Sequence, residues 1–154
     1  MATMTQPFRA PNEYAFAAFL DALAVPWKYE ALEGDISRAI RYQPDFWLPD
    51  SLAWLEVKPT GHAPTPGEIR GAWQLGEATG RPVYICAGWP EPRLLTLAVT
   101  VFSKQPGTQV AMGKLALRWL ALLVNRPLPD VLAAGRVVMI RRLEFVRTWQ
   151  GGRE

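Results

Sequence analysis

Three residues able to do chemistry lie close together in the middle of the chain: Asp45, Glu56 and Lys58. They sit in the run Tyr42-Gln-Pro-Asp-Phe-Trp-Leu-Pro-Asp-Ser-Leu-Ala-Trp-Leu-Glu-Val-Lys58, which reads as two short apolar strands around a tight turn. Leu48-Pro49-Asp50-Ser51 supplies the turn, with Pro49 fixing φ at the first central position and Asp50 tolerated at the second. That turn predicts Asp45 opposite Trp54 and diagonal to Glu56, and diagonal neighbours lie roughly 7 Å apart. Side chains alternate along a strand, so Leu52, Trp54, Glu56 and Lys58 share one side while Ala53, Leu55 and Val57 share the other. Two carboxylates and an ammonium therefore converge on an otherwise apolar hairpin. Burying them is costly unless they pair with one another or bind something.

Pro44-Asp45, followed eleven residues after the aspartate by Glu56-Val57-Lys58, resembles the PD-(D/E)xK nuclease motif. In that superfamily the two acids hold a divalent metal, usually magnesium. The lysine activates the attacking water or steadies the phosphate. The resemblance implies a metal-dependent deoxyribonuclease with Asp45, Glu56 and Lys58 as catalytic residues. Asp45, Glu56 and the backbone carbonyl of Val57 would be the metal ligands, with Mg²⁺ as cofactor and Mn²⁺ as substitute. A second resemblance covers Glu13 to Glu30, which is similar to the opening E-x3-A-x3-D-x-L-G-(I/V)-x-W-x-Y-E of a phage and bacterial branch of the superfamily. Ala24 stands where glycine is usual. The helix glutamate of that pattern contributes to the metal site directly or through water, which implies Glu13 as a further catalytic residue. Judged by its own position, Glu13 lies about 70° from the centre of its helix's apolar stripe at roughly 100° per residue. It is either a first-turn acid favoured by the helix dipole or a group that reaches the sheet edge.

The elements that must position these residues follow from apolar spacing and punctuation. A helix is expected from an Asn12 N-cap to about Ala24, burying Phe16, Phe19, Leu20 and Leu23. Pro26 ends it, Trp27–Leu32 reads as a first strand, and Glu33-Gly34-Asp35 as a turn. A second strand is expected from about Ile36 to Trp47 and a third over Leu52–Lys58. Glu30 is expected to be solvated near a strand end. Pro59–Pro64 is a loop at the mouth of the site, where His62, the single histidine, is either a metal ligand or, as expected of a histidine in a Gly/Pro loop, exposed. Thr65-Pro66-Gly67-Glu68 is a sharp helix start, with a Thr65 cap, Pro66 at the first position and Glu68 completing a capping box. This helix runs to about Thr79 with Gly80 as its C′ residue. Arg70 and Gln74, one turn apart on it, either face phosphate or form a solvated face. Arg81–Gly88 is a buried strand in which Cys86 is a small core residue.

The expected order is αβββαβ, read without the motif acids. It matches the restriction-endonuclease-like core shared by the superfamily: an α/β fold with a mixed sheet flanked by helices. Beyond it, Leu94–Ser103 suits a strand and Lys104–Gly107 a turn. A helix is expected over about 110–124 with Met112, Leu115, Ala116, Trp119, Leu120 and Leu123 on one face. Asp130–Ala134 reads as one helical turn and Arg136–Val146 as an apolar strand, which together give a C-terminal helix and strand extension. Lys114, Arg118, Arg136, Arg141, Arg142 and Arg147 concentrate positive charge there. They could follow a phosphate backbone or solubilise a surface.

The whole chain sets bounds on these readings. Its 154 residues suit a single domain, with a core of about 12–90 and an extension of about 91–150. At 49% apolar and 20% charged it is too apolar for disorder. A net charge of +3 permits a local nucleic-acid-binding patch without arguing for one. One cysteine excludes disulfides within the chain and a cysteine-ligated iron–sulfur cluster. With no apolar leader and no long apolar run, neither secretion nor a membrane span is expected, and the protein is expected to be cytoplasmic. DNA is the expected partner. The helix at 110–124 either serves a homodimer or is core. The alternative to an enzyme is a catalytically silent nucleic-acid- or partner-binding module on the same fold.

Overall fold

The computed structural model describes residues 8–32, 34–100 and 106–151. Six strands form one mixed sheet in the order β1-β2-β3-β4-β5-β6, so each strand pairs with its neighbour in sequence. They are β1 (Lys28–Tyr29), β2 (Phe46–Leu48), β3 (Ala53–Lys58), β4 (Val83–Ala87), β5 (Thr96–Thr100) and β6 (Thr108–Met112). Only β3 and β4 run parallel. Their crossover is α3 (Pro66–Thr79), as a parallel connection requires. The other helices are α1 (Pro11–Ala22), α2 (Gly34–Ile40), α4 (Gly113–Val124), α5 (Leu128–Ile140) and α6 (Arg142–Gly151). The fold is therefore α/β, with a six-stranded mixed sheet flanked by helices.

Alternation along the strands splits the core in two. Phe46, Leu48, Leu55, Val57, Cys86, Leu97 and Ala111 face α1, α4, α5 and α6. Trp54, Val83, Ile85 and Ala98 face Ala72 and Leu75 of α3, with Ile40 of α2 and Trp47 packed alongside. Phe16, Phe19, Leu20 and Leu23 are buried as their spacing predicts. The α3 boundaries also match expectation: Thr65 accepts from the Glu68 amide, the capping box is complete, and Gly80 is left-handed at φ 69°.

Several expectations are corrected. The hairpin loop is two residues longer than a Pro49-Asp50 turn, because Phe46 pairs with Leu55 and Leu48 with Ala53. Leu52 sits in the left-handed region at φ 51° instead of joining the strand. A shift of two residues leaves every side chain on its expected face. Residues 34–40 form α2, and the second strand begins only at Phe46. Pro44 has no N–H to give a ladder, while Ile36 and Ile40, four apart, suit one helix face. The first strand is correspondingly reduced to Lys28–Tyr29, ending where Glu30 turns to φ 47°.

Thr108–Met112 is an edge strand, so the following helix starts at Gly113. Its buried residues are Ala116, Leu117, Leu120, Ala121 and Val124, whereas Met112 and Leu115 are exposed. Residues 136–146 are helical, divided between α5 and α6. Val131, Ala134 and Val138 recur at helical spacing and bury against the α1 side of the core. The expected Lys104–Gly107 turn lies partly outside the described residues. Among the described residues no helix is long and apolar enough to cross a membrane.

Candidate active site at the end of β3

Asp45 and Glu56 approach each other because of the hairpin register. Extending the observed pairing by one residue sets Asp45 across from Glu56. Both are buried, at 8% and 6% exposure. Asp45 Oδ2 accepts a 2.7 Å hydrogen bond from the Val57 amide. Val57 thus enters the site through its N–H as well as lying beside Glu56 in sequence.

The first helix brings the third acid. Asn12 is not the N-cap, which falls at Ala10. Its side chain instead donates to the Lys58 carbonyl at 2.7 Å, and the Gly88 amide donates to the same oxygen at 2.8 Å. This clamp fixes the start of α1 at the end of β3. Glu13 is thereby buried at 4% exposure, where the Tyr29 hydroxyl donates to it at 2.6 Å. Both readings of Glu13 match its placement, since it is an acid in the first turn of α1 and also meets the sheet at Tyr29.

Charge is crowded here. Burial first, and then the neighbouring Glu13 and Glu56 carboxylates, push Asp45 up to about 8, against the lowering effect of the Val57 amide and Lys58. Tyr42 donates its hydroxyl to Glu56 Oε2. Burial and that carboxylate push the phenol far above its usual range, so it remains a donor. Gly71 on α3 makes room for Tyr42, since a Cβ there would lie 2.8 Å from the tyrosine ring.

Lys58 has two acidic partners. Its Nζ lies 3.1 Å from Glu56 Oε1 and 2.9 Å from Glu68 Oε2. Burial opposes its charge, but these hydrogen bonds outweigh the penalty and raise it above the ordinary lysine value. The other oxygen of Glu68 accepts from the Thr65 amide at 2.8 Å and contacts His62 Nε2 at 2.7 Å. Burial works against Glu68 ionising, yet the Thr65 amide, His62 and Lys58 together hold it at about 2. His62, expected to be exposed, is half-buried in this network. The sequence does not single out Tyr42 or Glu68 for the site, and it places His62 at the mouth with exposure as the expected state. The capping-box spacing that identified Glu68 as a helix start gives no sign of its second partner.

Other candidates lie apart from this group. Glu30 is half-buried and paired with Arg9. Arg70 and Gln74 are exposed on α3, whereas Lys114 and Arg118 are exposed on α4 across the sheet. Arg141 pairs with Glu144 and lies over Phe145, and Arg142 lies over Trp89. Cys86 is fully buried, its thiol pushed up by desolvation.

The donor set suits a hard cation. Glu56 and Glu68 pair with Lys58, the buried carboxylates of Glu13 and Asp45 lie beside them, all these donors are oxygens, and burial followed by the acidic neighbours raises Asp45. Among the described residues no three acidic, histidine or cysteine side chains form a ready-made ligand cluster. The chain matches no known protein-family model, no curated protein and no solved structure.

Proposed function

We propose that this protein is a metal-dependent nuclease that hydrolyses phosphodiester bonds in DNA, built on the restriction-endonuclease-like core of the PD-(D/E)xK superfamily. The observation that carries the reading is the grouping of Glu13, Asp45, Glu56 and Lys58 at one end of β3, with Asp45 raised by burial and then by its acidic neighbours. These are the residues that the motif resemblance names.

Asp45 and Glu56 would hold Mg²⁺ or Mn²⁺, with the Val57 carbonyl and water completing the shell, since magnesium takes few carboxylates and keeps several waters. A bound divalent ion supplies a water of lowered pKa and neutralises charge developing on phosphate. The chain's own residues do the rest. The Val57 amide fixes the Asp45 carboxylate, and Tyr42 fixes one oxygen of Glu56. Lys58, kept charged by its two acids, stands ready to orient the water or to stabilise the pentavalent phosphate. Glu13, held by Tyr29, adds a third carboxylate beside Asp45. The cutting we propose is structure-directed, in recombination, repair or phage DNA processing.

The test is a panel of labelled single-stranded, duplex, flap and four-way-junction DNAs incubated with the protein in Mg²⁺ and Mn²⁺. Cutting that requires the cation and disappears in Glu56→Ala is the expected result. Absence of both cutting and cation-dependent thermal stabilisation would leave a silent binding module.

A further inference from the structure

Glu68 stands outside the motif, yet it touches more of the network around Lys58 than any motif acid does. One oxygen is committed to the Thr65 amide and His62, at 2.8 and 2.7 Å, which leaves the other aimed at Lys58 Nζ at 2.9 Å. The lysine is thus held between two carboxylates, Glu56 at 3.1 Å and Glu68 on the neighbouring helix. The partners differ in kind. Glu56 is buried on β3 and is itself a proposed cation ligand, while Glu68 is locked into the first turn of α3 by its capping box. We propose that Glu68 is the positioning residue for Lys58: it keeps the ammonium beside the site when a divalent cation claims Glu56. His62 helps by fixing the Glu68 oxygen that Lys58 does not use. The inference rests on the proposed metal-site reading for its role, and on the observed ion pairs for its geometry.

Without Glu68, the lysine has Glu56 as its one remaining partner among these acids, so ammonium and cation compete for the same oxygen. Glu68→Gln isolates this effect, because glutamine also completes a capping box and so preserves the helix start. Thr65→Ala is the converse control, since it removes the side-chain cap and leaves the Glu68 carboxylate.

Two measurements decide the matter. In Mn²⁺ titrations followed by thermal shift, Glu68→Gln is expected to raise the half-saturating concentration by about tenfold, the size of one partly screened charge interaction. Thr65→Ala is expected to lower the melting temperature without moving that midpoint. In pulse acetylation read by mass spectrometry, Lys58 is expected to be protected in the parent relative to the exposed Lys28 and Lys114, and to react several-fold faster in Glu68→Gln. An unchanged Mn²⁺ midpoint together with unchanged Lys58 labelling would overturn the proposal and leave Glu68 as a helix cap. If the parent shows no cation response at all, the metal-site reading fails instead, and Lys58 labelling alone decides whether Glu68 positions it.

Discussion

Charged residues at the end of β3 and in the last three helices stand in opposite circumstances. Glu13, Asp45, Glu56, Lys58 and Glu68 are buried or half-buried, and each is coupled to named neighbours across two helices and a hairpin. Lys114, Arg118, Arg136, Arg142 and Arg147 are exposed to solvent. A buried charge must be compensated, so its surroundings report what it is for. An exposed charge is compensated by water, and its position alone reports little. Changes in the two regions should therefore differ sharply in effect.

The largest expected difference is in cutting. Lys58→Ala and Asp45→Ala should each lower the cleavage rate by about 100-fold or more, the usual effect of removing one group that stabilises transition-state charge. Both should still fold, as judged by circular dichroism. Single alanine variants at Lys114, Arg118 or Arg142 should change the rate at saturating DNA by less than about threefold, since they are far from the reacting atoms. Equal losses in both regions would remove the distinction.

Stability should separate them as well. Tyr42→Phe takes the hydroxyl donor from one oxygen of buried Glu56 and should cost about 1–3 kcal/mol in denaturant melts, the penalty of a buried acceptor left unpaired. Arg142→Ala loses a surface contact over Trp89 and should cost no more than about 1 kcal/mol.

The two regions should also respond differently to pH. Asp45 is raised in the folded state to about 8 from 3.8. A group with a raised folded pKa adds stability that is complete below the unfolded value and is lost as pH rises through the folded one. Between pH 4 and 8, without divalent cation, the parent should therefore weaken relative to Asp45→Asn. The variant should be nearly equal to the parent at pH 4 and more stable by up to about 5 kcal/mol at pH 8. Melts at the two pH values check this, and an Asp45→Asn advantage that does not grow with pH would show that burial and the neighbouring acids do not raise Asp45 as described.

The same contrast governs what could be read from the sequence. The hairpin was legible because two-residue alternation survives an error of two in register, so Asp45 and Glu56 stayed on their faces although the Pro49-Asp50 turn was too short. Thr65 to Gly80 was legible because caps are local chemistry. Arg136–Val146 was misread because Val137-Val138-Met139-Ile140 favours a strand by composition, and only packing against α1 decides for helix. Residues 110–112 failed for the converse reason, since pairing with β5 is a long-range fact. Tyr42 and Glu68 are not legible as site residues because their partners lie on other elements, and for the same reason the position of His62 at the site mouth gives no sign of its contact with Glu68.

The smallest expected effects belong to the basic surface, and salt dependence is the way to find them. A side chain that neutralises a phosphate releases counterions, so its removal lowers the slope of log binding constant against log salt by about one. Arg70 lies on α3 and Arg118 on α4, against opposite faces of the sheet. A duplex crossing the end of β3 is closer in sequence and structure to the α3 start, where Lys58 meets Glu68. Arg70→Ala is therefore expected to lower the slope by about one, and Arg118→Ala to leave it unchanged, in titrations with Ca²⁺ replacing Mg²⁺ to hold DNA uncut. The reverse pattern would move the DNA path to the α4 side and make the C-terminal arginines part of it. That result would turn the exposed region into a binding surface, and the contrast between the two regions would become one of catalysis against grip.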